Sequence, residues 1–343
     1  MRQRPQRVAI TLVTTAMASA ALAQPAGRAA PHVDIEVRYG QWIDPARGGR
    51  VVPYKVYLPR GTKGPAPLIV HSHGLGGSVE GSTFILTALA QAGFAAVALQ
   101  HAGSDSSLGI GQARGEEAIV AAGARGITAS VAQARYGDVP FAIDQLTREA
   151  ARGGTLAGRI DLTKLGMSGH SFGALSTLVA AGQRVPGAEG RNYAEPRIKA
   201  AIAYSPNKPR NDDVATAFAG VKTPMLHMTG TQDRSPMDLE GSPFERTAPY
   251  QVISGADQYL VILDGGDHAV FGGPRTAPRP NRPRDAEHMS LVKAETIRFW
   301  RAYLNGDGAA ARELCTLPVR VKGVAEGYVK AARCGPPTPI RPL

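Results

Sequence analysis

The stretch Leu165-Gly166-Met167-Ser168-Gly169-His170-Ser171-Phe172-Gly173-Ala174 leaves a folding chain few options. A short apolar run ends in Gly-x-Ser-x-Gly and passes without a spacer into residues 174–181, which read as a helix. Strand must therefore turn directly into helix around position 171. A turn that tight forces its central residue into a strained backbone conformation, and Gly169 and Gly173 leave room for neighbouring chain to approach. The hydroxyl of Ser171 is then thrown clear of the edge of a sheet.

The rest of the chain supplies that sheet. Residues 33–39 and 51–57 alternate apolar and polar side chains on either side of Arg47-Gly48-Gly49-Arg50, the pattern of an antiparallel hairpin. Residues 67–72, 94–99, 165–168, 200–204, 225–229 and 259–263 are short apolar runs of the buried, parallel kind. Between them, residues 82–92, 139–151 and 286–304 carry helical spacing. Residues 101–137 are rich in Gly, Ala and Ser and are expected to form a partly helical loop over the carboxyl edge of the sheet. Strands alternating with helices at this spacing predict an α/β fold, a mostly parallel sheet with helices on both faces. No linker divides residues 33–305, so they are expected to form one domain. Residues 306–343 read as a basic, Pro-terminated tail.

The N-terminus follows different rules. Arg2, Arg4 and Arg7 precede an apolar run over 8–22, and Ala21-Leu22-Ala23 is a small-x-small site that would cut before Gln24. Residues 1–23 thus read as a secretory signal peptide and 24–32 as a flexible lead, placing the mature protein in the periplasm or outside the cell. No other segment approaches the roughly 20 apolar residues that a spanning helix needs. The only two cysteines, Cys315 and Cys334, lie in the exported part, where a disulfide between them is expected, with two free buried thiols as the alternative. The three leader arginines take the formal charge from +11 to about +8. The remaining basic residues are scattered and lack interleaved aromatics, so a solvated exterior is expected rather than a nucleic-acid surface.

Three strand ends carry the chemistry. Ser171 follows one strand, Asp233 in Thr229-Gly230-Thr231-Gln232-Asp233 a later one, and His268 in Asp267-His268-Ala269 the last. A serine hydroxyl needs a base to remove its proton, and an imidazole base needs a carboxylate to fix its tautomer. The order Ser, Asp, His with roughly a strand and a helix between members fits one scaffold built for this purpose. Asp212, Asp213 and Asp267 are the alternative acids. Two N–H donors for an oxyanion are expected from Phe172, just after the serine, and Leu75, in His73-Gly74-Leu75-Gly76-Gly77. His71 and His73 are two apart on a strand and could suggest a metal pair, but no third ligand accompanies them, so no metal is expected.

With His73-Gly74-Leu75-Gly76, Gly169-His170-Ser171-Phe172-Gly173, the Asp and the last His in hand, residues 33–305 resemble the α/β-hydrolase superfamily. Within it they are most similar to the branch of platelet-activating-factor acetylhydrolases and dienelactone-hydrolase-like enzymes. The resemblance implies a secreted, cofactor-free serine esterase acting on short-chain or lipid-like esters. One departure stands out. The animal acetylhydrolases carry the triad acid where this chain has Tyr204-Ser205-Pro206, and Asp233 matches the dienelactone-hydrolase-like position instead. A polyester or plasticiser-ester hydrolase, and a non-catalytic binding protein on the same scaffold, are the alternative readings.

Overall fold

A computed structural model of the chain describes residues 34–188, 190–209, 212–234, 241–273 and 282–340. The expected signal peptide and its cleavage site, the lead over 24–32, and most of the Pro- and Arg-rich run 274–284 lie outside these residues. Among the described residues nine strands form one sheet in the order β1-β2-β4-β3-β5-β6-β7-β8-β9. These are Ile35–Asp44 (β1), Arg50–Pro59 (β2), Ala66–Ser72 (β3), Ala95–Leu99 (β4), Ile160–His170 (β5), Ile198–Tyr204 (β6), Met225–Gln232 (β7), Gln258–Asp267 (β8) and Ala325–Lys330 (β9). β3 to β8 run parallel, while β1, β2 and β9 pair antiparallel at the two sides.

The helices are Thr83–Gln91 (α1), Glu116–Gly126 (α2), Ala129–Ala150 (α3), Phe172–Ala180 (α4), Val214–Phe218 (α5), Ala248–Val252 (α6), Asp285–Leu304 (α7), Gly308–Cys315 (α8) and Leu317–Arg320 (α9). They bury two large cores, and Tyr250 of α6 joins a small third cluster with Leu260, Ile262 and Tyr328. Ile85, Leu86 and Leu89 of α1 join Val292, Phe299 and Trp300 of α7 over one face, against strand residues such as Ile69 and Ile202. Val139, Ile143 and Leu146 of α3 join Leu178 of α4 over the other, against Leu68, Val70 and Met167. Alternate residues of one strand thus feed opposite cores, as the period of two requires. The mixed α/β architecture, helices on both faces of a mostly parallel sheet, is the one expected.

Two expectations need adjustment. The helix read from residue 139 starts a further ten residues earlier, at Ala129, capped by Thr128 Oγ1 accepting from the N–H of Val131 at 3.3 Å. Its first half was hidden because the inward side carries Arg135 and Asp138, both buried, where an apolar stripe would have announced it. The tail after residue 305 is no appendage either. It folds as α8, α9 and β9, and β9 extends the sheet by pairing with β8. Cys315 and Cys334 form a disulfide with Cα atoms 5.1 Å apart, joining the end of α8 to the turn after β9.

The strand order places the functional region. From β3 the chain moves to β4 on one side, and from β4 it crosses back over β3 to β5 on the other. Loops leaving the carboxyl ends of β3 and β5 therefore part in opposite directions and open a crevice between them.

Candidate active site

Ser171 stands at that crevice, between the end of β5 and the start of α4. Its backbone has φ 57° and ψ −114°, a region in which a non-glycine residue is held at a cost of about 1–3 kcal/mol. The strain is held by flanking bonds. The N–H of Ser171 donates to the carbonyl of Tyr204 at 2.9 Å, and its own carbonyl accepts the first helical bond from Leu175 at 3.1 Å. The glycines are obligatory here. A Cβ on Gly173 would lie 1.8 Å from the carbonyl oxygen of Ser72, and one on Gly169 would lie 2.2 Å from that of Gly173. A Cβ on Gly74 would come within 3.4 Å of Ser171 Cβ, so the loop after β3 runs beside the serine.

The three separated residues meet. His268 Nε2 is 2.9 Å from Ser171 Oγ, and His268 Nδ1 is 2.8 Å from Asp233 Oδ1. A carboxylate only accepts, so Nδ1 carries the proton and Nε2 is free to accept from the serine hydroxyl. Asp233 is fully buried, whereas the imidazole keeps 16% of its surface exposed, next to a half-buried Ser171. The acid is sealed and the reactive end is open. None of the alternative acids takes this place: Asp212 pairs with Arg184, Asp213 caps α5, and Asp267 caps the turn that carries His268.

Asp233 is held by more than the imidazole. Thr229 Oγ1 donates to its Oδ2 at 2.9 Å, Ser205 Oγ donates to the same oxygen, and Arg246 Nε lies 2.9 Å from Oδ1. Burial works against the charge, yet the hydrogen bond from His268, the charge of Arg246 and the hydrogen bond from Ser205 together hold the carboxyl below its usual range. Ser205 also lies 3.0 Å from His268 Nδ1. It too has a positive φ, 57°, anchored by its N–H on the carbonyl of Met228 at 2.7 Å. His170 Nε2 donates to the carbonyl of His268 at 2.9 Å, its ring 4.8 Å from that of His268, and burial holds it neutral.

Across the crevice, His73 is locked as one tautomer. Its Nδ1–H donates to the carbonyl of Gly74 at 2.6 Å, and its Nε2 accepts from the N–H of His101 at 3.1 Å. Burial first, then the charge of Arg135, pushes its pKa well down, so it stays neutral. His71 instead bonds Ser168 Oγ at 2.9 Å, so the two imidazoles are committed to different partners. Among the described residues no group of three His, Cys, Asp or Glu side chains is arranged to hold a metal ion. Among them, too, the N–H groups of Leu75 and Phe172 have no hydrogen-bond acceptor. Phe172 is the first residue of α4, so the positive end of that helix faces the serine.

Sequence reasoning missed Ser205 as a partner of the acid, and missed Arg246 and Arg135 altogether. For Arg135 a signal existed. It stands at i relative to Val139, Ala142 and Leu146 at i+4, i+7 and i+11, so a charge lay in register with a buried stripe. The chain matches no family model and no curated protein. The arrangement can perform proton transfer from a hydroxyl to an imidazole beside two unoccupied N–H donors.

Proposed function

We propose that this chain is an exported serine carboxylic ester hydrolase of the α/β-hydrolase fold, acting on short-chain or lipid-like esters. One observation carries the reading: the unbroken hydrogen-bonded line from Ser171 Oγ through both nitrogens of His268 to a sealed carboxylate, at the topological switch point of a parallel sheet. The resemblance of Gly169-His170-Ser171-Phe172-Gly173 and His73-Gly74-Leu75-Gly76 to the acetylhydrolase and dienelactone-hydrolase-like branch supports it. The leader-like N-terminus supports export, and a disulfide is compatible with a compartment outside the cytoplasm. Among the described residues no helix is long and apolar enough to cross a membrane.

In this mechanism Ser171 Oγ attacks the ester carbonyl carbon while its proton passes to His268 Nε2. The carbonyl oxygen becomes an oxyanion and takes hydrogen bonds from the N–H groups of Phe172 and Leu75. Collapse breaks the bond to the alcohol, which leaves with the proton from His268. Water then attacks the acyl-serine, gives its proton to His268, and the acid departs as Ser171 recovers its own. Asp233 stays ionised throughout, holding Nδ1–H and stabilising the imidazolium. Every group required is a side chain or backbone N–H of this chain.

The parent protein is expected to hydrolyse p-nitrophenyl butyrate and to label with a fluorophosphonate probe, and Ser171→Ala is expected to abolish both. A parent protein that fails to label, or a variant that keeps the parental rate, overturns the reading.

A further inference from the structure

A fully buried cation lies outside the acid–imidazole line. Arg135 on α3 has no exposed surface, and among the described residues its guanidinium donates only to neutral oxygens. Nε reaches Ser176 Oγ at 2.9 Å, Nη1 reaches Ser104 Oγ at 3.0 Å, and Nη2 reaches Ser72 Oγ at 2.8 Å and the carbonyl oxygen of His73. Its central carbon lies 4.7 Å from the centre of the Phe172 ring. These partners fall on three segments, the end of β3, the loop after β4 and α4. The His73 carbonyl begins the His73-Gly74-Leu75 turn, and the Ser104 carbonyl accepts from the N–H of Gly76, just beyond Leu75, at 2.8 Å. On the elbow, Phe172 rests its ring on the guanidinium and Ser176 Oγ donates to the Phe172 carbonyl at 3.1 Å.

We propose that Arg135 is the positioning residue of the oxyanion hole: a single guanidinium fixes the Leu75 and Phe172 segments relative to each other and keeps its charge for the oxygen that turns negative. The inference rests on the ester-hydrolase reading. The nearest carboxylate on the same helix, Asp138, is already committed to Arg47, Arg50 and His101. Burial pulls Arg135 down to about 9, so it remains protonated at neutral pH. Burial and the charge of Arg135 hold His71 and His101 down to about 3 and about 4, which keeps those neighbouring rings neutral. A buried charge facing only neutral acceptors is an unfavourable way to fill space, and an apolar side chain of similar volume would pack at less cost. What the apolar side chain could not do is bond the His73 carbonyl and underlie Phe172 together.

The test compares Arg135→Met, Arg135→Lys and Ser176→Ala with the parent enzyme, each per active site titrated with the fluorophosphonate. Readouts are kcat and KM for p-nitrophenyl butyrate and the affinity for a trifluoromethyl ketone, which adds to Ser171 Oγ and leaves an oxyanion. In Arg135→Met, kcat is expected to fall about 10- to 100-fold, less than the roughly 10²–10³ for deleting an oxyanion donor outright. KM should stay within about twofold, and ketone affinity should fall in step with kcat/KM. Arg135→Lys, which keeps the charge and loses the fork, should fall between. Ser176→Ala leaves the guanidinium in place and should weaken the ketone severalfold, so it decides the matter if neither Arg135 variant folds. Unchanged kcat per titrated site, or unchanged ketone affinity, overturns the proposal. A parent protein that neither labels nor turns over esters removes the ester-hydrolase reading instead, so the two failures are distinguishable.

Discussion

Two buried arginines flank Ser171, and they are built in opposite ways. Arg246 faces an anion: its Nε lies 2.9 Å from Asp233 Oδ1, and its Nη1 reaches the carbonyls of Ser205 and Pro206 and Asn207 Oδ1 at 3.0, 3.2 and 2.9 Å. Arg135 donates to three serine hydroxyls and one carbonyl, and among the described residues none of its bonds reaches a carboxylate. In the proposed reaction the acid side holds a negative charge that is present at rest. The proposed oxyanion side meets one that exists only while the bond is changing. A cation already paired stabilises the resting state, whereas one left unpaired favours charge that arrives later. The comparison separates where charge sits before the reaction from where it appears during it.

The sharpest way to break that division is to remove the standing charge. Asp233→Asn is expected to lower kcat for p-nitrophenyl butyrate by about 10⁴, because the imidazole loses the partner that fixes its tautomer. A loss under tenfold in a variant that melts like the parent would mean that another group does this work. In Asp233→Asn, Arg246 no longer faces the charge of Asp233. Adding Arg246→Met to Asp233→Asn should therefore reduce kcat far less than Arg246→Met does in the parent, a non-additivity that follows if the arginine acts through the acid.

Arg246→Met alone is expected to cost about 10- to 100-fold in kcat, with a pH signature that Arg135→Met lacks. The Asp233 carboxyl lies below its usual range in the folded protein. Its contribution to stability is therefore complete above the unfolded value near ~4 and is lost as pH falls through the lowered folded value. Within that window the unfolded chain binds the extra proton, so stability rises with pH. Removing Arg246 moves the folded value up toward the unfolded one, the window narrows, and denaturant melts below pH ~5 should show a shallower acid slope. A slope equal to the parent's would dissociate Arg246 from the charge of Asp233. Ser205→Ala is a milder probe of the same side. Thr229 still donates to Oδ2, so a loss of about 1 kcal/mol in transition-state stabilisation, or roughly fivefold in kcat, is expected.

The sequence shows these two sides unequally, for a physical reason. Ser171, Asp233 and His268 were legible because each follows an apolar strand, and strand ends in a parallel sheet converge by construction. Gly169 and Gly173 were legible because only a missing Cβ lets the elbow pass the carbonyls of Gly173 and Ser72. Ser205 was noticed only as a place without a carboxylate, and its hydroxyl turns out to touch both acid and imidazole. Arg246 answers to no periodicity, whereas Arg135 lies in register with the buried stripe of α3. Arg246 sits in a short 3-10 turn, Pro243–Thr247, after residues outside the described set, and besides Asp233 and Asn207 it bonds carbonyls, which every residue possesses. Arg135 broke an apolar stripe and so cost the reading the first half of α3. The edge strand β9 was missed because its residues 325–330 pair on one side only, with β8, and need no long apolar run.

That edge supplies the weakest expected effect and the control for all the others. Cys315 and Cys334 close a loop 19 residues apart in sequence, around α9 and β9. Cross-linking a loop of that size removes conformations from the unfolded chain and is worth about 3 kcal/mol. Replacing both cysteines by serine should lower the thermal midpoint by several degrees while kcat and KM stay within about twofold below the melt. β9 keeps its ladder to β8 when the bond is gone, so the strand that carries His268 stays paired on both sides. If kcat fell with the disulfide, the pairing of β9 would have to be reckoned part of what holds His268 in line. The contrast between a paired and an unpaired arginine would then describe only two of three supports.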